Sequence, residues 1–406
     1  MASAVDTGLK SALRGAVESN EGYQAALRFE EEAALRIGVA SSVRKPQISG
    51  NADLGMIRET GGIQPDDTTT GLAAGFNISQ LVFDGGASSA EVNSATAEAL
   101  AARAERDVRG NEIALEAARA WIDVWQFAER LALLKRRTRE MNRLIAQMER
   151  MAANGLVDRA AMASAQRQVV DITLEEARLQ AQLDAATLRF ERFFRSSVND
   201  VPQPDSVLTF AEAEAAANSW HTAPVLQRTA AETMVARQAV ERAEAAYWPT
   251  ARVQAGVSSP MEERESTDTI VGLRVDYMFG EGGRRSAELA AARARAAATS
   301  DELADAQQAL QVQLKAALRQ LRSIDASMPL VSDQIRLSAS EADTAESQIR
   351  TGQSSLRQLV EAEIENYRAQ DRQIVLRAQR HTELFTVAAR TGELTRKLGI
   401  GKDTLR

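Results

Sequence analysis

Two copies of one switch constrain this chain more than any other feature. At Gln80-Leu81-Val82-Phe83-Asp84-Gly85-Gly86 the apolar residues change from a period of two to helical spacing. At Tyr277-Met278-Phe279-Gly280-Glu281-Gly282-Gly283 they change again in the same sense, and Phe83 and Phe279 lie 196 positions apart. A chain that twice passes from a half-buried strand into a long helix must place both strand pairs and both helices in equivalent roles.

The order of segments follows from this. Residues 7 to 40 read as helix, with Leu9, Leu13, Ala16 and Val17 on one face continued by Tyr23, Leu27, Ala34 and Ile37. Pro46 ends it, because proline lacks a donor and drives Lys45 into an extended conformation. Strands are expected at about 47–58 and 71–83, separated by a loop of Gly, Pro, Asp and Thr. In the first, Ile48, Gly50, Ala52, Leu54 and Met56 oppose Gln47, Ser49, Asn51 and Asp53. A helix is expected from 86 to 153. Its stripe Ile113, Ala117, Ala120, Val124, Phe127, Leu131, Leu134, Thr138, Met141, Ile145, Met148 and Ala152 alternates steps of four and three, a heptad seam. At 1.5 Å per residue it makes a rod of about 100 Å. Asn154-Gly155 breaks it, and a return helix occupies 157–195.

The second half repeats this order: a helix over 210–246 interrupted near His221 to Pro224, then Pro249, strands at about 251–259 and 269–279, and helices at 284–350 and 354–398. Pro329 lies inside the first of these rods and is expected to kink it. Gly155 and Gly352 are 197 positions apart. We therefore read residues 1–406 as one structural unit with an internal duplication, the first repeat at 7–200 and the second at 205–398.

Composition narrows the chemistry. With no Cys among 406 residues, thiolate metal sites, Cys nucleophiles, disulfides and an N-terminal Cys acyl anchor are excluded for the sequence shown. A net charge of -7 with interleaved basic and acidic residues leaves no nucleic-acid footprint. No stretch approaches the roughly 18 to 20 apolar residues of a spanning helix. The opening Met1-Ala2-Ser3-Ala4-Val5-Asp6 has neither a basic nor an apolar leader region. His221 and His381 are far apart on helical segments, Glu30-Glu31-Glu32 and Glu262-Glu263 read as solvated charges, and no phosphate loop, nucleophile elbow or metal spacing occurs. The chain is not read as an enzyme, and no cofactor is expected.

Four strands cannot close a barrel, since the smallest closed barrels need about eight. One arrangement packs both hairpins as a small sheet against the helices. The other closes them across three chains, whose twelve strands would surround a lumen. Strand chemistry favours the second, because one face is Leu, Ile, Val and Phe while the other is Asn, Asp, Gln, Ser and Arg. Phe83, Tyr247, Trp248, Tyr277 and Phe279 gather where strands meet helices, the level of the lipid headgroups in a spanning barrel.

These residues resemble the TolC family of outer-membrane efflux and secretion channels over about residues 7 to 398. The likeness rests on Asn20-Glu21-Gly22-Tyr23-Gln24-Ala25-Ala26, its counterpart His221-Thr222-Ala223-Pro224-Val225-Leu226, the proline before each half's first strand, Leu81-Val82-Phe83-Asp84-Gly85-Gly86, and Asn154-Gly155-Leu156-Val157. It implies a mainly α fold with a small β part. In it, duplicated strand hairpins and long antiparallel helical hairpins assemble as a homotrimer with a 12-stranded outer-membrane β-barrel continuous with a 12-helix periplasmic α-barrel. The implied function is that of a passive exit duct of a tripartite efflux pump or type I secretion system. The implied partners are a periplasmic adaptor, an inner-membrane transporter of ABC or RND type, and outer-membrane lipid. Adaptor-docking tips fall at Asn154, Gly155, Leu156 and Val157 and at Thr351, Gly352, Gln353 and Ser354. The family's acidic constriction falls on Gln358 and Glu361, of which only Glu361 keeps the acid; Asp158, Arg350, Arg357 and Glu363 are the candidate latches beside it. A soluble coiled-coil scaffold and an adaptor protein are the alternatives. An adaptor would carry one hairpin and a lipoyl-like domain rather than two rods.

Overall fold

The computed structural model describes residues 8–59, 67–153, 159–195, 201–259, 267–350 and 356–401. In chain order the elements are α1 (Leu9–Glu18), α2 (Glu21–Ser42), β1 (Gln47–Glu59), β2 (Asp67–Phe83), α3 (Ala87–Ala153), α4 (Arg159–Phe194) and α5 (Phe210–Asn218). A turn of 3-10 helix at Trp220–Thr222 precedes α6 (Pro224–Ala245), β3 (Thr250–Ser259), β4 (Asp268–Asp276), α7 (Arg284–Arg350), α8 (Leu356–Arg390) and α9 (Glu393–Leu398). The fold is mainly helical with one small antiparallel sheet.

Two expected helices are divided. The helix expected over 7–40 breaks between α1 and α2, where the Asn20 side chain accepts from the Gly22 N–H at 2.8 Å and the Gln24 side chain donates to the Glu18 carbonyl at 2.7 Å. Local side-chain bonds of this kind offer the backbone an alternative to the helical ladder. The helix expected to run to 398 stops at Thr391-Gly392, where Gly392 takes a φ of 80° that helical continuation excludes. Pro329 does not end α7, which runs through it, and its ring lies on an exposed face.

The chain divides into two compact units. The first comprises Met1–Ala25, Asp107–Pro224 and Gln307–Arg406. Its core includes seven positions of the stripe expected in α3, Ile113, Ala117, Ala120, Val124, Leu131, Leu134 and Met141, together with Leu310, Leu314, Ala317, Leu321, Ile324 and Val331 of α7; the side chains of Met148 and Ala152 lie outside the described residues. Thr138, the one polar residue of the α3 stripe, satisfies its hydroxyl on the Leu134 carbonyl at 3.0 Å. Trp121 packs against Phe190 and Phe194 of α4 and donates its indole N–H to the Pro202 carbonyl at 3.0 Å. Asn111 of α3 joins α9 by two bonds with Thr395, at 3.0 and 3.2 Å.

The second unit comprises Ala26–Arg106 and Val225–Ala306. Its helices meet through small side chains, with Ala90, Ala95, Ala97, Ala104, Ala231 and Ala236 buried. Such seams bury little area each, and ion pairs cross them: Arg106 to Glu30, Arg228 to Glu105 and Arg242 to Glu91, each at 2.7 Å. All neighbours in its sheet, ordered β1-β2-β3-β4, are antiparallel.

Candidate pore and gate residues

The sheet is the first half of the site. Its register aligns Ile48 with Ile78, Gly50 with Phe76, Phe76 with Val257, and Val253 with Leu273. Because side chains alternate, this register gathers every such residue on one face. That face is bare: Leu54 is 82% exposed, Val271 77% and Leu273 63%. A sheet in water would bury this surface, since exposed apolar patches of such extent mark lipid or protein contact. The opposite face carries Ser49, Asn51, Asn77, Gln254, Arg252 and Arg274. Among the described residues, β1 and β4 each pair on one side only, leaving two open edges.

The junctions explain the duplicated Gly-Gly. Gly85 and Gly86 have φ of 65° and 97°, and Gly282 and Gly283 have φ of 61° and 88°, so both switches use the same left-handed turn. A Cβ on Gly85 would sit 2.5 Å from the Trp248 Cβ and 2.8 Å from the Ala245 carbonyl oxygen. Asp84 then starts α3, accepting from the Gly86 N–H at 3.0 Å and the Ser88 N–H at 2.7 Å. At the second junction Glu281 takes that place by pairing with Arg284 at 2.8 Å and Arg285 at 3.1 Å. The aromatics named from sequence meet here. Phe83 and Trp248 lie edge to face at 6.3 Å, Tyr277 and Phe279 at 4.8 Å, and the Arg285 guanidinium covers Tyr277 at 5.3 Å and Tyr247 at 6.0 Å. All five rings stay exposed, Phe279 to 93%. Tyr277 and Phe279 follow the last residue of β4 rather than ending the strand expected at 269–279.

The second half lies where α7 approaches its C-terminus and α8 begins. Gln358 and Glu361 are exposed and line an open groove of about 800 Å³ with Glu341, Thr344, Gln348 and Glu365. Glu341 and Glu365 add two carboxylates that the sequence reading did not name, although Glu365 stands one helical turn after Glu361 and could have been found by that spacing.

Glu363 faces the other way. Its carboxylate accepts from Arg137 of α3 at 2.6 Å, beside a cavity of about 280 Å³ lined also by Glu140, Asp343, Asn366 and Tyr367. Burial pushes the Glu363 carboxyl up and the Arg137 guanidinium down from their ordinary values, and pushes the Tyr367 phenol up to about 12. Two turns further on, Arg130 holds Asp371 at two points, 2.7 and 3.1 Å. Asn366 completes the clasp, donating to the Ile335 carbonyl and the Ser338 hydroxyl of α7, each at 3.1 Å. The tips at 154–157 and 351–354 and the latch residue Asp158 lie outside the described residues, as do the side chains of Arg350 and Arg357.

Among the described residues no helix is long and apolar enough to cross a membrane. A four-stranded sheet with one bare apolar face and two edges open among the described residues is a surface that meets lipid or another chain. The profile of the outer membrane efflux protein family matches residues 16–192 and matches again at 217–393. The chain belongs to the outer membrane efflux protein family, whose members are channels and not enzymes.

Solved structures share the fold. The CmeC outer membrane channel of Campylobacter jejuni superposes with a TM-score of 0.81 at 12% identity, over 95% of this chain and 85% of that one. The outer membrane protein VceC of Vibrio cholerae gives 0.79 at 16%, over 97% of each chain. The open state of the Neisseria gonorrhoeae MtrE outer membrane channel gives 0.77 at 17%, over 97% and 93%. No curated protein sequence matched the chain.

Proposed function

We propose that three copies of the chain close their sheets into a twelve-stranded outer-membrane barrel and serve as the passive exit duct of a tripartite efflux pump or type I secretion system. The observation that carries this is the sheet itself, with its apolar face bare and both edges open among the described residues. Closure across copies removes the edges, and lipid covers the apolar face. The helices then form the periplasmic tunnel, and an inner-membrane transporter of ABC or RND type drives export through an adaptor that docks at residues 154–157 and 351–354. Gln358 and Glu361 line the constriction, with Glu341 and Glu365 adding negative charge to the same groove. Asp158, Arg350, Arg357 and Glu363 are proposed to hold the closed state. For Glu363 the described partner is Arg137 on the neighbouring α3, which makes that pair the restraint on the start of α8.

Single-channel recording of the detergent-purified protein in planar bilayers tests this reading. Cation-selective openings whose selectivity weakens in Glu361→Ala support both the duct and its constriction, because carboxylate rings select cations. Openings unchanged in Glu361→Ala remove the constriction assignment and leave the duct. Protein that stays soluble without detergent and never inserts overturns the duct.

A further inference from the structure

The polar face of the sheet carries a charge arrangement that folding alone does not ask for. Arg252 of β3 and Arg274 of β4 are direct partners in the strand register, and both point away from the apolar face. Directly opposed residues on antiparallel strands have Cα atoms about 4.5–5.5 Å apart, and like charges so placed oppose pairing. A neutral residue at either position would serve the sheet better.

The acids nearby do not cancel the pair. Asp276 lies one step along the same face and reaches Arg274 at 3.6 Å, but both side chains are 63% exposed, where such contacts are weak. Arg252 is half-buried and has no acidic partner among the described residues. Asp268 aligns with Ser258 and Asp53 with Ala73, both towards the other end of the strands. Two guanidinium groups against one carboxylate leave a net positive charge on this row of each chain. Gln254 and Gly272 form the next row, so an approaching solute meets an amide and open backbone rather than a carboxylate.

We propose that Arg252 and Arg274 form an oxyanion filter in the wall of the barrel, a ring of guanidinium pairs that recognises phosphate or carboxylate groups of small solutes leaving through the duct. This rests on the closed-barrel reading above. Guanidinium groups match the geometry of phosphate and carboxylate with two parallel donors, and rings of Arg or Lys are the means by which pores favour anions. A low-dielectric wall concentrates their field on the lumen.

The test uses the full-length trimer in planar bilayers of zwitterionic lipid, with inorganic triphosphate as the probe and no divalent cation present. Triphosphate is expected to reduce current through the wild-type channel at low salt. The block should weaken several-fold as salt approaches 1 M, where the screening length falls to about 3 Å. Arg252→Gln/Arg274→Gln channels should open yet lose the block, while Arg252→Lys/Arg274→Lys channels should keep part of it. Open double-Gln channels blocked as strongly as wild type would overturn the filter and leave the duct standing. Wild-type channels indifferent to triphosphate at low salt would overturn it without recourse to any variant. Absence of channels from the wild-type protein would overturn the duct and the filter together.

Discussion

Gly85 and His381 show how single positions carry the fold's demands. Gly85 holds a left-handed φ of 65° with no room for a Cβ beneath Trp248. Gly85→Ala therefore adds both backbone strain and a clash, and is expected to cost about 2 kcal/mol or more. Thermal unfolding in detergent measures it, and Gly86→Ala, where a Cβ meets nothing within 4 Å, should cost less. His381 is buried edge-on against Trp125, with Arg380, Arg377 and Asp205 as its charged neighbours. Burial first, then Arg380, holds it down to about 4 from 6.5. The folded state thus binds fewer protons than the unfolded one between those values. Its contribution to stability is complete above about pH 6.5 and is lost as pH falls towards 4, by on the order of 3 kcal/mol. His381→Gln should flatten that part of the pH–stability curve.

At the scale of elements, the first unit is closed by polar clasps between helices distant in sequence. Asp371→Ala leaves the Arg130 guanidinium without its two-point partner on α8 and is expected to cost on the order of 3 kcal/mol. A double-mutant cycle with Arg130→Ala should return a large coupling energy, and a sum of independent effects would contradict the clasp. This scale also shows what the sequence could and could not display. Strand β1 at Gln47–Glu59 and helix α7 at Arg284–Arg350 announce themselves, because period two and period 3.5 are local signals that many residues repeat. The break at Asn20 rests on two side-chain bonds and the stop at Gly392 on one backbone angle, too little to interrupt a periodic pattern. The Arg130–Asp371 and Arg137–Glu363 pairs join residues more than two hundred positions apart, and no spacing within the chain marks them.

For the whole molecule, the polarity of the sheet makes an asymmetric prediction. Leu273→Lys places a charge on the bare apolar face and should prevent insertion, since a lysine at the bilayer midplane of a barrel costs about 2–4 kcal/mol. Gln254→Lys, on the adjoining strand but the polar face, should insert normally. Heat-modifiable migration of the membrane-extracted protein reads both. The candidate site was legible to a similar degree. Glu361 is proposed from its position after the candidate tip at 351–354, and it lines a groove with two further acids, Glu341 and Glu365, that the resemblance does not mark. The Arg252–Arg274 opposition requires knowing that β3 and β4 pair in that register, which follows only once the two strands are aligned.

The open edges of β1 and β4 also carry a genetic consequence. On the proposed trimer a chain owns only a third of each ring and wall, so a defective copy cannot fail by itself. If variant and wild-type chains are made equally and mix at random, only about one trimer in eight is free of the variant. A substitution that spoils the pore but spares assembly should therefore behave as dominant in a cell that also makes the wild type. One that blocks strand pairing should be recessive, because its chains never reach the wall.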